Sequence, residues 1–212
     1  RDWVRMTARA AWPSRKFLGA AMDEEGHLYI VGGLTGYGTG GLNDLWKSED
    51  QGVTWSPVTL AAAWTARHSF AFVRLPGGGA QGRFYILGGD DGQRQHDVWK
   101  SDDDGNTWQL MTFTHWREER YSVYEERAPW DPTSETSAVV SGEGLLTLTG
   151  GGRNGQDREA FSNEVWELPS PTETVDTWYN RKTKDPRVGS EWRPLKWEKS
   201  DTPQWSERQG HA

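Results

Sequence analysis

Short runs of apolar and β-branched residues alternate with polar, glycine-rich stretches along the chain, and none keeps the spacing of an amphipathic helix. Three runs end in a glycine pair: Leu28-Tyr29-Ile30-Val31-Gly32-Gly33, Phe84-Tyr85-Ile86-Leu87-Gly88-Gly89 and Leu146-Thr147-Leu148-Thr149-Gly150-Gly151. Their aromatic and β-branched content favours strand, and the glycines permit a sharp exit where side chains would clash. Beyond each pair comes a second run: Asn43-Asp44-Leu45-Trp46, His96-Asp97-Val98-Trp99 and Asn163-Glu164-Val165-Trp166.

The first two of these lead into an eight-residue phrase that occurs twice, as Ser48-Glu49-Asp50-Gln51-Gly52-Val53-Thr54-Trp55 and Ser101-Asp102-Asp103-Asp104-Gly105-Asn106-Thr107-Trp108, with its final tryptophans 53 positions apart. Both copies fit S-x-D-x-G-x-T-W. In such a turn Asp50 and Asp103 accept hydrogen bonds from nearby backbone N–H groups, and Gly52 and Gly105 take a left-handed position. Thr54 and Thr107 restart a strand, while Trp55 and Trp108 plug the space behind the turn. A calcium loop is the weaker alternative, since the spaced oxygen ligands and terminal Glu of an EF-hand are missing. A fourth element precedes each glycine-pair strand and begins near an arginine: Trp12-Pro13-Ser14-Arg15, Trp64-Thr65-Ala66-Arg67, Trp116-Arg117-Glu118-Glu119-Arg120 and Trp205-Ser206-Glu207-Arg208. Each of these tryptophans follows an outer-strand tryptophan (Trp3, Trp55, Trp108, Trp197) by eight or nine residues. Four short strands recurring about every 50 residues describe the blade of a β-propeller, so an all-β fold of four-stranded antiparallel blades is expected.

Blades are expected over residues 15–60, 67–113 and 120–198 of a single domain, with a stray outermost strand at 2–7 and an innermost strand at 208–212. The third unit departs from the pattern. Ser137-Ala138-Val139-Val140 aligns without a gap on Gly19-Ala20-Ala21-Met22 when both are counted back from the glycine pair. That leaves Arg120 too far upstream and makes Tyr121–Glu135 an insertion. After Trp166 the phrase is replaced by residues 169–194, rich in Pro, Thr and charge. Both insertions are expected at the surface. Unpaired edges and bare inter-blade faces at the ends would be aggregation liabilities. The expectation is therefore a sector of a ring, completed by more of the same chain or by other subunits.

Of 212 residues 34% are apolar, and 14 tryptophans supply core material through the repeats, each ring able to bury roughly 150–250 Å². The net charge of −7 comes without a basic run, which argues against nucleic acid or an anionic membrane as partner. No stretch of 18 apolar residues is present to span a bilayer. The absence of cysteine excludes disulfides and cysteine-ligated zinc. His27, His68, His96, His115 and His211 show no metal-ligand spacing, and no Ser–His–Asp arrangement stands out. No metal or cofactor is expected.

The repeat resembles the kelch family of β-propellers, whose pattern is an Arg-led inner strand, a hydrophobic strand ending in Gly-Gly, a third strand and a Trp-opened fourth. The eight-residue phrase resembles the Asp-box of sialidases and related propellers, which occupies the turn between a blade's third and fourth strands. Kelch propellers usually close with more blades than the three found here. The resemblance implies that the loops Leu34–Leu42, Asp90–His96 and Gly152–Ser162 share one side with the tryptophans that lead each unit. Tyr37, Asp90, Asp91, Arg94, Arg153, Asn154, Asp157 and Arg158 form the candidate binding set there, and mixed Arg, Asp and aromatic groups suit a protein or glycan ligand. Arg15, Arg67, Arg120 and Arg208 are expected as scaffold groups stacked on the neighbouring tryptophans. The other reading is a sialidase-like cluster for a ligand carboxylate. No segment singles out the Tyr–Glu pair and acid Asp of a sialidase, and galactose oxidase, which shares the architecture, needs a cysteine at its copper. The leading expectation is a non-catalytic module that binds another protein within a longer protein or assembly. The alternative is a carbohydrate-active propeller, either glycan-binding or a sialidase-like glycoside hydrolase. Families of this kind lean towards secreted or lumenal compartments.

Overall fold

The computed structural model describes residues 2–36, 40–75, 82–111, 113–116, 123–126, 128, 130–142, 144–153, 160–162, 164–168 and 193–194. Among them the regular structure is all β, and no helix is long and apolar enough to cross a membrane. Three four-stranded antiparallel sheets follow one another, each ordered as the chain runs. The first contains β1 (Gly19–Met22), β2 (Leu28–Leu34), β3 (Gly41–Ser48) and β4 (Ser56–Thr59). The second contains β5 (Ala71–Leu75), β6 (Arg83–Leu87), β7 (Val98–Ser101) and β8 (Gln109–Leu110). A hairpin, β9 (Phe113–Trp116) with β10 (Val123–Glu126), and the short β11 (Thr133–Ser134) come next. The third sheet contains β12 (Ser137–Val140), β13 (Leu146–Thr149), β16 (Val165–Leu168) and β17 (Arg193–Pro194). Between β13 and β16, β14 (Gly152–Arg153) and β15 (Ala160–Phe161) form a second hairpin that pairs with β11.

The register repeats from sheet to sheet. Ile30 pairs with Trp46, Ile86 with Trp99 and Leu148 with Trp166. Trp46 pairs with Pro57, Trp99 with Leu110 and Trp166 with Pro194. Both residues of each glycine pair take positive φ, from 54° at Gly32 to 105° at Gly151. A side chain there would be strained and would meet backbone oxygens, such as that of Lys16 at 2.9 Å from a Cβ on Gly33.

The middle sheet is buried on both faces, as strand alternation requires. Phe84 and Ile86 point into a cluster with Tyr29, Val31 and Leu45 of the first sheet and with Trp64, Phe70 and Trp108. Tyr85 and Leu87 point the other way, into a cluster with Leu146, Leu148 and Leu168 of the third sheet and with Trp130. Each fully buried aliphatic or aromatic side chain contributes about 1.5–3 kcal/mol.

A segment ahead of each inner strand carries the join between sheets. The Arg67 amide donates to the Leu42 carbonyl (3.1 Å), and the Gly33 amide to the Arg67 carbonyl (3.0 Å). The Ala62 amide reaches Asn43 (2.9 Å), and the Ser69 amide reaches Phe17 (3.1 Å). One unit later the same four bonds recur: Thr133 to Gln95 (2.9 Å), Gly89 to Thr133 (2.9 Å), Ala128 to His96 (2.9 Å) and Glu135 to Ser69 (2.6 Å). Phe17, Ser69 and Glu135 share a φ of 55–59°. The lead segments in equivalent positions are therefore Trp12–Arg15, Trp64–Arg67 and Trp130–Thr133.

This corrects the sequence reading of the third unit. Residues 130–135 belong to the regular repeat, and the extra chain lies upstream of Trp130, where β9 and β10 form. Arg120 falls outside the described residues, as do residues 208–212. The fourth strand of the third sheet begins at Arg193, directly after Trp192 in sequence, rather than after Trp197. Residues 2–7 form no strand, and Trp3 and Val4 are exposed. An outermost strand needs a third strand beside it, and none of the described strands lies there.

Both copies of the phrase fold alike. Gly52 N–H donates to Ser48 Oγ (2.8 Å), Ser48 Oγ to Asp50 Oδ1 (2.9 Å), Thr54 N–H to Asp50 Oδ1 (2.8 Å) and Thr54 Oγ1 to Asp50 Oδ2 (2.6 Å). Gly105, Ser101, Thr107 and Asp103 repeat these bonds within 0.1 Å. The Trp55 indole donates to Gly52 O (3.2 Å) and that of Trp108 to Gly105 O (3.0 Å). Thr54's hydroxyl and amide hold the Asp50 carboxyl below its ordinary value. Burial pushes the Asp103 carboxyl up, but the bonds from Thr107 and Ser101 outweigh it and the net shift is downward. A carboxyl lowered by folding stabilises above its unfolded value near 4, and that contribution is lost as pH falls. Asp103→Asn is expected to lose about 1 kcal/mol or more at pH 7, with the difference from the native chain shrinking towards zero near pH 2–3. Urea midpoints at the two pH values check it.

Candidate functional site: the loop edge

Antiparallel order puts the β2–β3, β6–β7 and β13–β16 connections on the same sheet edge as the lead segments, and both copies of the phrase on the opposite edge. At the loop edge the first two units carry the same polar clamp. Arg15 donates to both carboxylate oxygens of Asp44 (2.6 and 2.8 Å) and to the Gly32 carbonyl (2.9 Å). Arg67 does the same to Asp97 (2.5 and 2.9 Å) and to Gly88 O (3.0 Å). The Trp46 and Trp99 indoles donate to the same carboxylates at 2.7 and 2.9 Å. Both guanidiniums are fully enclosed, with side-chain exposures of 0% and 1%.

These contacts settle what the two arginines can do. Arg15 lies 5.7 Å from the Trp12 ring, the expected stacking, but in both units the main partner is a carboxylate. Donors spent on the chain's own Asp44 and Asp97 cannot also receive a ligand carboxylate, so the sialidase-like reading fails at Arg15 and Arg67. Arg208, like Arg120, lies outside the described residues. The sequence reading missed Asp44 and Asp97. The signal was present, since each stands two residues before a repeated tryptophan.

In the third unit Thr133 holds the place of the arginine, Glu164 that of the aspartate, and Gly150 that of Gly32 and Gly88. The Trp166 indole still donates to Glu164 Oε2 at 2.9 Å. Thr133 is too short to reach Glu164's position as an arginine does, and its hydroxyl donates to Gly152 O (2.9 Å). A small cleft forms there, lined by Trp130, Thr133, Gly150, Ser162, Glu164 and Trp166 among others. The Trp130 and Trp166 rings stand 6.2 Å apart.

Of the candidate binding set, Asp90, Asp91 and Arg94 are brought together in the β6–β7 loop. Asp90 pairs through its backbone with His68 and Arg94, and its Oδ1 accepts from the Gly92 amide (2.8 Å). Asp91 is exposed, yet its carboxylate accepts from Thr65 Oγ1 (2.6 Å) and Gln95 Nε2 (2.8 Å). Burial pushes its carboxyl up, and these bonds bring it below the ordinary value. Arg94 Nε donates to Ser134 Oγ (3.1 Å), tying the loop to the next lead segment. Arg153 is placed by its backbone in β14, opposite Thr133. Tyr37, Asn154, Asp157 and Arg158 lie outside the described residues.

At the opposite edge, the structure brings ligand atoms of Asp23, Glu25 and His27 within 4.8 Å of one another, a grouping the histidine spacing did not suggest. The Asp23 carboxylate accepts from the His27 amide (2.7 Å) and the Tyr29 hydroxyl (3.0 Å), and lies 2.8 Å from the His27 ring. Burial raises its carboxyl, but these bonds prevail and hold it below the ordinary range. That pattern ties the β1–β2 turn together.

Removing one partner of a buried ion pair strands the other charge. Asp97→Asn is expected to cost about 3–5 kcal/mol, read from urea denaturation. Arg67→Met combined with Asp97→Leu is expected to cost less, because no charge is left buried alone.

Compared with known proteins, the chain matches no family model and no curated protein.

Proposed function

We propose that the chain is a kelch-like β-propeller segment whose loop edge is a non-catalytic surface for binding another protein. The repeated four-stranded sheets and their common docking bonds support the architecture. The observation that carries the binding reading is where the repeat is broken. The β9–β10 hairpin leaves the end of the second sheet at the loop edge, the β14–β15 hairpin extends the β13–β16 connection there, and Thr133 replaces an arginine there. The two phrase turns at the other edge are closed on themselves by their own hydrogen bonds. Both extra hairpins stand on this edge, while the long β16–β17 connection departs from the repeat at the other. Additions to a regular scaffold are where recognition is added, and the hairpins put two of them beside the exposed β6–β7 loop. Its exposed Asp91 and half-buried Arg94 supply charges of both signs, which suit a polar protein rim.

Chemical cross-linking of the chain to a co-purified protein, read by mass spectrometry, tests this. Links are expected in residues 90–96 and 152–162 and not in the turns at 48–55 and 101–108. Asp91→Arg is expected to weaken the complex about tenfold while shifting Tm by less than about 3 °C, since Asp91 is exposed. Links confined to the turns, or turnover of a fluorogenic sialoside, would overturn the proposal.

A further inference from the structure

Neighbouring sheets meet twice within the chain, and the second contact repeats the first bond for bond. One half of that contact is left over at each end. Where the second sheet meets the first, Trp64 and Trp108 are buried in T-shaped contact at 6.0 Å. Their counterparts on the first sheet, Trp12 and Trp55, keep the contact at 5.9 Å but are only half-buried. Met22 pairs with Leu28 as Arg74 pairs with Phe84, yet Met22 is exposed and the Arg74 side chain is buried. On the third sheet Val139 pairs with Thr147 as Val73 pairs with Tyr85, and here too Val139 is exposed and Val73 buried. The backbone is open at the same two ends. Ser69 N–H donates to Phe17 O and Glu135 N–H to Ser69 O, a string through all three units. At its ends the Phe17 amide and the Glu135 carbonyl have no hydrogen-bond partner among the described residues. The Gly33 amide binds the Arg67 carbonyl and the Gly89 amide that of Thr133, while the Gly151 amide and the Arg15 carbonyl are likewise open.

We infer that two copies of the chain dock head to tail, the first sheet of one against the third sheet of the other, through the contact that joins neighbouring sheets within each copy. The open groups match end to end: the Phe17 amide of one copy meets the Glu135 carbonyl of the other, and the Gly151 amide meets the Arg15 carbonyl. Exposed Met22 and Val139 then come onto facing sheets. A face-to-face pair of first sheets would instead join like ends and leave Glu135 and Gly151 unmatched. Such a head-to-tail contact is heterologous, so it either closes a ring or extends a chain of copies. Thr147 and Thr149 stand where Tyr85 and Leu87 stand on the second sheet, which makes the contact less apolar than those within the chain. Association is therefore reversible and concentration-dependent. The end faces are a different surface from the loop edge, and the inference does not rest on the reading of that edge.

The chain has no cysteine, so Met22→Cys and Val139→Cys each introduce a single reactive thiol. Both positions are exposed, and both variants are expected to fold as the native chain does. A short bismaleimide added to an equimolar mixture is expected to join one variant to the other, with little dimer from either variant alone. Sedimentation velocity of the native chain at rising concentration is expected to show self-association, weakened at least tenfold by Met22→Asp and by Val139→Asp. A monomer at every concentration overturns the inference. So does Met22→Cys cross-linking to itself as readily as to Val139→Cys, or self-association that both Asp variants leave unchanged. Each of these results leaves the loop-edge reading standing, because Asp91→Arg tests a separate surface.

Discussion

Each lead segment must cross from one sheet to the next with its peptide groups pressed between them, and a buried N–H or C=O without a partner costs about 1–3 kcal/mol. The four backbone bonds that recur at Arg67 and at Thr133 meet that constraint, and the rest of the architecture follows from them. They fix the distance between neighbouring inner strands, so β1 lies against β5 and β5 against β12. They also demand close approach. A Cβ at Gly41 would stand 2.6 Å from the Arg67 amide nitrogen, too near for any side chain. The positive φ shared by Phe17, Ser69 and Glu135 is the bend by which each lead segment turns into its inner strand.

With that spacing fixed, the side chains of the middle sheet have two surfaces to serve. Phe84 meets the Tyr29 ring at 4.9 Å on one side, while its neighbour Tyr85 is buried against the third sheet. A slip of one residue in β6 would exchange the two faces, so its register is set from both directions. On the far faces of the outer sheets the inner strands are open, with Met22 and Val139 exposed at 63% and 61%, although Ile30 and Trp46 of the first sheet are buried there. The turns at the other edge add a second tie, because Arg74 at the end of β5 binds Glu24 of the first sheet's turn and lies 4.0 Å from Asp104 in the second copy of the phrase.

The strands, their order and the like settings of Trp46, Trp99 and Trp166 were legible because strand periodicity and turn chemistry are local. The bond from a backbone N–H to Asp50 was legible for the same reason, whereas the hydroxyl bonds of Ser48 and Thr54 were not assigned. The clamp was not, since Arg15 and Asp44 stand 29 residues apart and nothing local pairs them. In the third unit the tryptophan spacing misled, pointing to Trp116 and Arg120. The gap-free alignment of Ser137–Val140 on Gly19–Met22, carried a few residues further upstream, already sets Trp130 on Trp12 and Thr133 on Arg15. Searching for the arginine as a letter, rather than for its place in the register, hid its replacement. The cleft could not be read from sequence at all, because it exists only where Thr133, Gly150 and Glu164 meet.

That replacement also separates two roles the clamp combines in the first two units. The third sheet is docked by the same backbone bonds, at 2.6–2.9 Å, and by a continuous apolar cluster, with Thr133 in the place of the arginine. Sheet-to-sheet docking therefore does not require an arginine in the lead segment. A buried pair of this kind costs much to desolvate and returns little net stability over an apolar substitute, while fixing geometry closely. In the first two units the clamp fixes how the lead segment sits against the third strand. In the third unit that geometry is held by β11 pairing with β14 and by the Thr133 bond to Gly152.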